Sequence, residues 1–158
     1  MFRRYGLLIL LLLSALLLTA CATKADTTPE QAALATGLSI DGAVLSGEPT
    51  FIDVEQDGTA MQLIARRDET GTVRLAFNTC QSCGGSPYAW FEYLGSNTLQ
   101  CQNCGLTFPL DAVGTAKAAG CNPVTITEFT VLGDTVTVPQ SVLADNAYRF
   151  ANWKKFEP

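Results

Sequence analysis

Apolar residues run together in one part of this chain and alternate with polar ones in another. From Leu7 to Leu18 the sequence is apolar, interrupted only by Ser14 and Ala15, and Arg3 and Arg4 precede it. That is the layout of a secretory signal, and the run is short for a membrane-spanning helix. Beyond residue 50 the period becomes two. "FIDV" predicts a first short strand. "TAMQLIARR" puts Met61, Leu63 and Ala65 on one face with Gln62 and Arg66 on the other, and "TVRLAFN" puts Val73, Leu75 and Phe77 inward with Arg74 outward. The glycine-containing turn "DETG" joins these two runs into a β-hairpin. Its second strand leads straight into Cys80. "TITEFTVL" and "TVTVP" flank Gly133-Asp134 and predict a second hairpin, which Pro139 ends. "QSVLADNAYRFANW" then predicts a short helix burying Val142, Leu143, Tyr148 and Phe150. The expected fold class is mostly β, a small α+β domain in which two hairpins flank a cysteine-rich segment and a short helix closes the chain.

The end of the apolar run changes the picture of the N-terminus. Leu18-Thr19-Ala20-Cys21 resembles the lipobox of bacterial lipoproteins, in which small residues before a cysteine allow cleavage and leave the cysteine acylated. The expected organisation is therefore a signal peptide over 1–20, a tether over 21–47 and one domain over 48–158. Cys21 carries the lipid, and the domain is extracytoplasmic, held to a cell membrane or outer membrane. The tether is small and polar, with at most a short helix from Pro29, where proline suits a first helical position. Removing residues 1–20 takes Arg3 and Arg4 away and leaves 8 basic against 15 acidic residues. Such a surface repels nucleic acid, which is dropped as a partner.

The chain has no histidine. The commonest general base, the usual partner of a nucleophilic cysteine and every imidazole ligand are absent with it. An ordinary hydrolase is disfavoured, and any metal must be held by thiolates. The thiols are well placed for that. Cys80-x2-Cys83 and Cys101-x2-Cys104 are separated by seventeen residues, and Cys121 follows after sixteen more. The first four fit a paired-knuckle arrangement whose sulfurs can surround one ion or a small iron–sulfur cluster. Glycines after each second cysteine, Gly84 and Gly105, permit positive φ and let backbone N–H groups turn toward sulfur. Three readings follow from the residues: an iron or iron–sulfur electron carrier, a structural zinc module, or a thiol–disulfide redox protein. Two small CxxC loops make poor structural staples, and no βαβ pattern surrounds them. Cys121 is read either as a further ligand or as a buried free thiol. Tyr88, Trp90, Phe91 and Tyr93 lie between the knuckles, where they either cover the site or simply pack a core. "CGLTFPLDAVG" reads as a small strand anchored by Leu106 and Phe108.

Taken together, "RLAFNTCQSC", "LQCQNCGLTFPLDAVG" and "AAGCNPVTI" resemble the FtrD-like membrane iron–sulfur-containing proteins over roughly residues 50 to 138. The matching positions are Cys80, Cys83, Tyr88, Cys101, Cys104, Gly105, Phe108, Gly120, Cys121, Asn122 and Pro123. The resemblance implies a metal-binding domain carrying an iron–sulfur cluster or iron, with zinc as the alternative. It further implies a redox or metal-handling role beside bacterial iron uptake, with an iron permease and a redox donor as partners. Many members carry transmembrane helices ahead of this domain. Here a lipoprotein signal stands there instead, so electrons are expected to come from a separate protein.

Overall fold

The computed structural model describes residues 37–115 and 120–157. The signal, Cys21 and the helix expected near Pro29 lie outside them. The described chain is mostly β, with three antiparallel sheets, one short helix and a cysteine cluster.

The central sheet has four strands in the order β2 (Thr50–Gln56), β3 (Thr59–Arg67), β4 (Val73–Cys80) and β8 (Pro123–Thr125). β2 and β3 join through Asp57 and Gly58, with φ of 49° and 78°, the left-handed pair that a tight two-residue hairpin requires. β3 and β4 join through the expected "DETG" turn, where the Asp68 carboxylate accepts from the Thr70 and Thr72 amides and from Arg74 Nε at 2.9 Å.

One face of this sheet is apolar in the expected register. Met61, Leu63 and Ala65 from β3 and Val73, Leu75 and Phe77 from β4 are buried together. They are covered by the sheet of β1 (Leu38–Asp41), β10 (Thr135–Val138) and β9 (Thr130–Leu132), which supplies Ile40, Val136 and Val138. β9 and β10 form the expected hairpin about Gly133-Asp134. The helix α1 (Gln140–Asn146) and a following 3-10 turn (Ala147–Phe150) add Leu143 and Phe150.

Several expectations are corrected. The last part of the stretch assigned to a tether is folded, because Leu38 and Ile40 alternate with Ser39 and Asp41 and find a partner strand in β10. Gln62 and Arg66 lie on the face opposite Met61, Leu63 and Ala65, as expected, and are only 6% and 5% exposed because a second layer covers that face. Tyr148 is 64% exposed and carries the Arg149 guanidinium 5.0 Å above its ring. The helix ends at Asn146, and the tighter 3-10 turn that follows rotates Tyr148 out of the core and Phe150 into it. Leu106 is also exposed; Phe108 is half-buried, and Leu110 and Val113 anchor that segment instead.

The second layer is the sheet of β5 (Phe91–Tyr93), β6 (Thr98–Cys101) and β7 (Thr107–Pro109). Phe91, Leu99, Leu110 and Val113 pack with Ile64, Ala76 and the buried Cys80 and Cys101. Arg66 crosses this layer and donates to the Leu110 carbonyl at 2.8 Å. No helix among the described residues is long and apolar enough to cross a membrane.

Candidate metal centre

Five thiols meet where the central sheet ends. β4 delivers Cys80 at its last residue, and β8 pairs beside it with Pro123 opposite Cys80. That register brings Cys121, two residues ahead of β8, to Cys80, with Sγ–Sγ 3.2 Å. β6 delivers Cys101 at its own end, opposite Phe91 of β5. Cys83 and Cys104 lie in the turns that follow Cys80 and Cys101. The sulfurs of Cys80, Cys83, Cys101 and Cys121 all lie within 4.8 Å of one another. Cys104 is exposed and stands 3.0 Å from Cys121. All five are unbridged thiols. The structure thus brings together every cysteine singled out in the domain, and Cys121 sits inside the cluster rather than apart as a packing residue.

Each turn is fixed by the backbone. In the first, Cys80 N donates to the Ala89 carbonyl at 2.8 Å and Ser86 N to the Cys83 carbonyl at 2.9 Å. In the second, Gly105 N donates to the Cys101 carbonyl at 2.8 Å and Cys101 N to the Leu106 carbonyl at 3.0 Å. Gly105 has φ of 72°, as expected, whereas in the first turn the left-handed residue is Gly85 rather than Gly84. The sequence offers two glycines there, and the chain reverses at the second. The turns are joined to each other by Gln102 N donating to the Trp90 carbonyl and by Ser86 Oγ donating to Asn103 Oδ1.

Asn78, Gln81 and Ser82, not singled out from the sequence, join Asn122, which was, in locking this assembly to the sheet. Asn78, fully buried, donates to Gln62 Oε1 at 2.7 Å and accepts from Phe91 N at 2.8 Å, tying β3, β4 and β5 together. Asn122 clasps the first turn: its Nδ2 donates to Gln81 Oε1, its carbonyl accepts from Gln81 N, and Ser82 Oγ donates to the Gly120 carbonyl. An asparagine in a strand otherwise buried on both faces is a signal of this kind, because it needs partners where water is excluded.

The electrostatics ask for a cation. Burial pushes the Cys83 thiol up to about 12, and the neighbouring Cys80 and Cys104 sulfurs oppose its ionisation further. Burial also raises Cys101 and, helped by the surrounding thiols, Cys121. Against this, the backbone N–H groups of Cys104 and Asn103 point at Cys101 sulfur, and the Leu106 N–H points at that of Cys104. Cys104 is lowered, to about 7, first by its bond from Cys121. Clustered cysteine sulfurs with N–H donors are the donor set of a thiophilic metal. The spacing fits as well: four sulfurs at about 2.3 Å from one tetrahedral ion lie about 3.8 Å apart. The site therefore fits a metal held by cysteine.

The chain belongs to the family described as "Membrane iron-sulfur containing protein FtrD-like", whose model matches residues 44–150. All five clustered cysteines fall inside that range. No curated protein and no solved structure matches the chain.

Proposed function

We propose that this protein is a lipid-anchored, extracytoplasmic metal-binding protein that holds iron or an iron–sulfur cluster and serves bacterial iron uptake as a redox or metal-handling accessory. The observation that carries the reading is the convergence of five thiols at one sheet end, within the region that matches an iron–sulfur family. An iron centre there supplies one-electron chemistry. The chain's own residues supply the rest: cysteine sulfur to bind, backbone N–H groups to spread thiolate charge, and Phe91, Leu99 and Phe108 to keep one side of the site dry. With no histidine in the chain, electron or metal transfer suits the site better than acid–base catalysis. The anchor is supported by the apolar run ending at Cys21; the acidic composition disfavours nucleic acid, and an iron permease and a redox donor are the partners that the family resemblance implies.

The test is the metal content and visible absorption of the full chain purified without oxygen. Iron with thiolate-to-iron charge-transfer bands is the expected result. One zinc per chain and no colour overturns the redox reading and leaves a zinc-stapled module. Expressed in a bacterium, Cys21→Ala is expected to lose the lipid-modified mass and leave the membrane fraction; retention there overturns the anchor.

A further inference from the structure

The site holds one thiol more than a tetrahedral ion needs, and the two candidates for the fourth position are held very differently. Cys121 is partly buried and rigidly placed: its neighbours Gly120 and Asn122 are hydrogen-bonded to Ser82 and Gln81, and β8 begins at Pro123 in register with Cys80. It belongs to the group of four sulfurs within 4.8 Å. Cys104 lies outside that group, at the exposed tip of the second turn between Gly105 and Asn103, and touches Cys121 at 3.0 Å. Spacing in the sequence pairs Cys104 with Cys101 as an equal ligand; the fold makes them unequal, burying Cys101 and leaving Cys104 in solvent.

We propose that Cys80, Cys83, Cys101 and Cys121 are the resident ligands and that Cys104 is an exchange ligand through which a metal ion enters and leaves. This rests on the metal-binding reading above. In the exchange, a bond to Cys104 Sγ forms as the bond to Cys121 Sγ breaks, and the proton of the incoming thiol passes to the departing sulfur. The number of bound thiolates and the charge of the site stay constant, and no oxidant or reductant is consumed. The 3.0 Å contact is what permits direct transfer of that proton. An ion taken up at the exposed turn thereby reaches a partly buried tetrathiolate without passing through water with three ligands.

The probe is cobalt(II) alone, added to the metal-free full-length chain in detergent, with its ligand-field bands reporting the number of thiolates. Cys104→Ser is expected to bind the same amount of cobalt with the tetrathiolate bands of the parent. Its release to a competing chelator should slow by about tenfold, the smaller end of what residues around a metal site contribute. Cys121→Ser is expected to lose the tetrathiolate bands. Loss of those bands in Cys104→Ser overturns the ligand assignment, and unchanged release from that variant overturns the exchange role. Should Cys121→Ser fail to fold, Cys104→Ser decides both points alone. A parent chain that takes up no cobalt through thiolates instead sinks the metal-binding reading itself.

Discussion

The two faces of the central sheet are built on different principles. Toward β1, β9, β10 and α1 the strands present chiefly Met61, Leu63, Ala65, Val73, Leu75 and Phe77. Toward β5, β6 and β7 the same strands present Gln62, Ile64, Arg66, Ala76, Asn78 and Cys80. The first face needs only shape and hydrophobicity. The second mixes apolar side chains with directional bonds, each of which must find its partner. The comparison teaches a division of labour: one face carries the stability of the domain, and the other couples the thiol cluster to it.

The largest blow to that division falls on the apolar face. Phe77→Ala removes a ring that is 1% exposed and meets Phe150 edge-on at 6.0 Å. A loss of about 3–5 kcal/mol is expected, of equal size in metal-loaded and metal-free protein. Denaturant titration of both forms checks it; a loss confined to the loaded form breaks the comparison. Next comes removal of the metal itself. Chelation should raise amide exchange in β5–β7 and the two cysteine turns while Met61 to Ala65 stay protected. Exchange that rises uniformly would mean the two faces unfold as one. Asn78→Ala should cost about 1–3 kcal/mol by stranding Gln62 and the Phe91 amide, and should weaken metal binding as well, which Phe77→Ala should not. Chelator competition separates the two variants.

The smallest effect lies in the β3–β4 turn. The Thr70 hydroxyl, the Thr72 and Thr70 amides and Arg74 hold the Asp68 carboxyl well below the usual carboxylate range. Its folded-state value is depressed, so its contribution is present above the unfolded value near 3.8 and is lost as pH falls through the folded one. Asp68→Asn should therefore lower the melting temperature slightly at neutral pH and flatten its decline in acid. Melting curves from neutral to acid pH would show an unchanged slope if the turn carries no such linkage.

What could be read from the sequence follows this same division. The apolar face was legible because its residues alternate cleanly, and both hairpins carrying "DETG" and Gly133-Asp134 announced themselves through turn chemistry. The convergence of the five cysteines was legible in outline, from the CxxC spacing and the Gly-Cys-Asn-Pro segment. The other face was not. Gln62 and Arg66 alternate as solvent-facing residues do, and only the tertiary cover from β5–β7 makes them internal. β1 was missed because four alternating residues specify a strand only when a partner is known, and theirs is β10, near the other end of the chain. Asp57-Gly58 was a readable turn signal that marks the β2–β3 hairpin. The unequal standing of Cys104 and Cys121 had no local signal, since it comes from the pairing of β8 with β4.

The chain's two tryptophans make this seam visible to light. Trp90 bonds the second cysteine turn through its carbonyl and meets Trp153 of the C-terminal tail edge-on at 5.9 Å. The tail is seated by Lys154 N donating to the Pro87 carbonyl at 2.9 Å. All indole absorption and emission therefore arises at one spot, between the cysteine turns and the end of the chain. Two indoles in contact couple their transitions, so near-ultraviolet circular dichroism and fluorescence become a built-in gauge of whether the tail is docked while the thiols are filled or emptied.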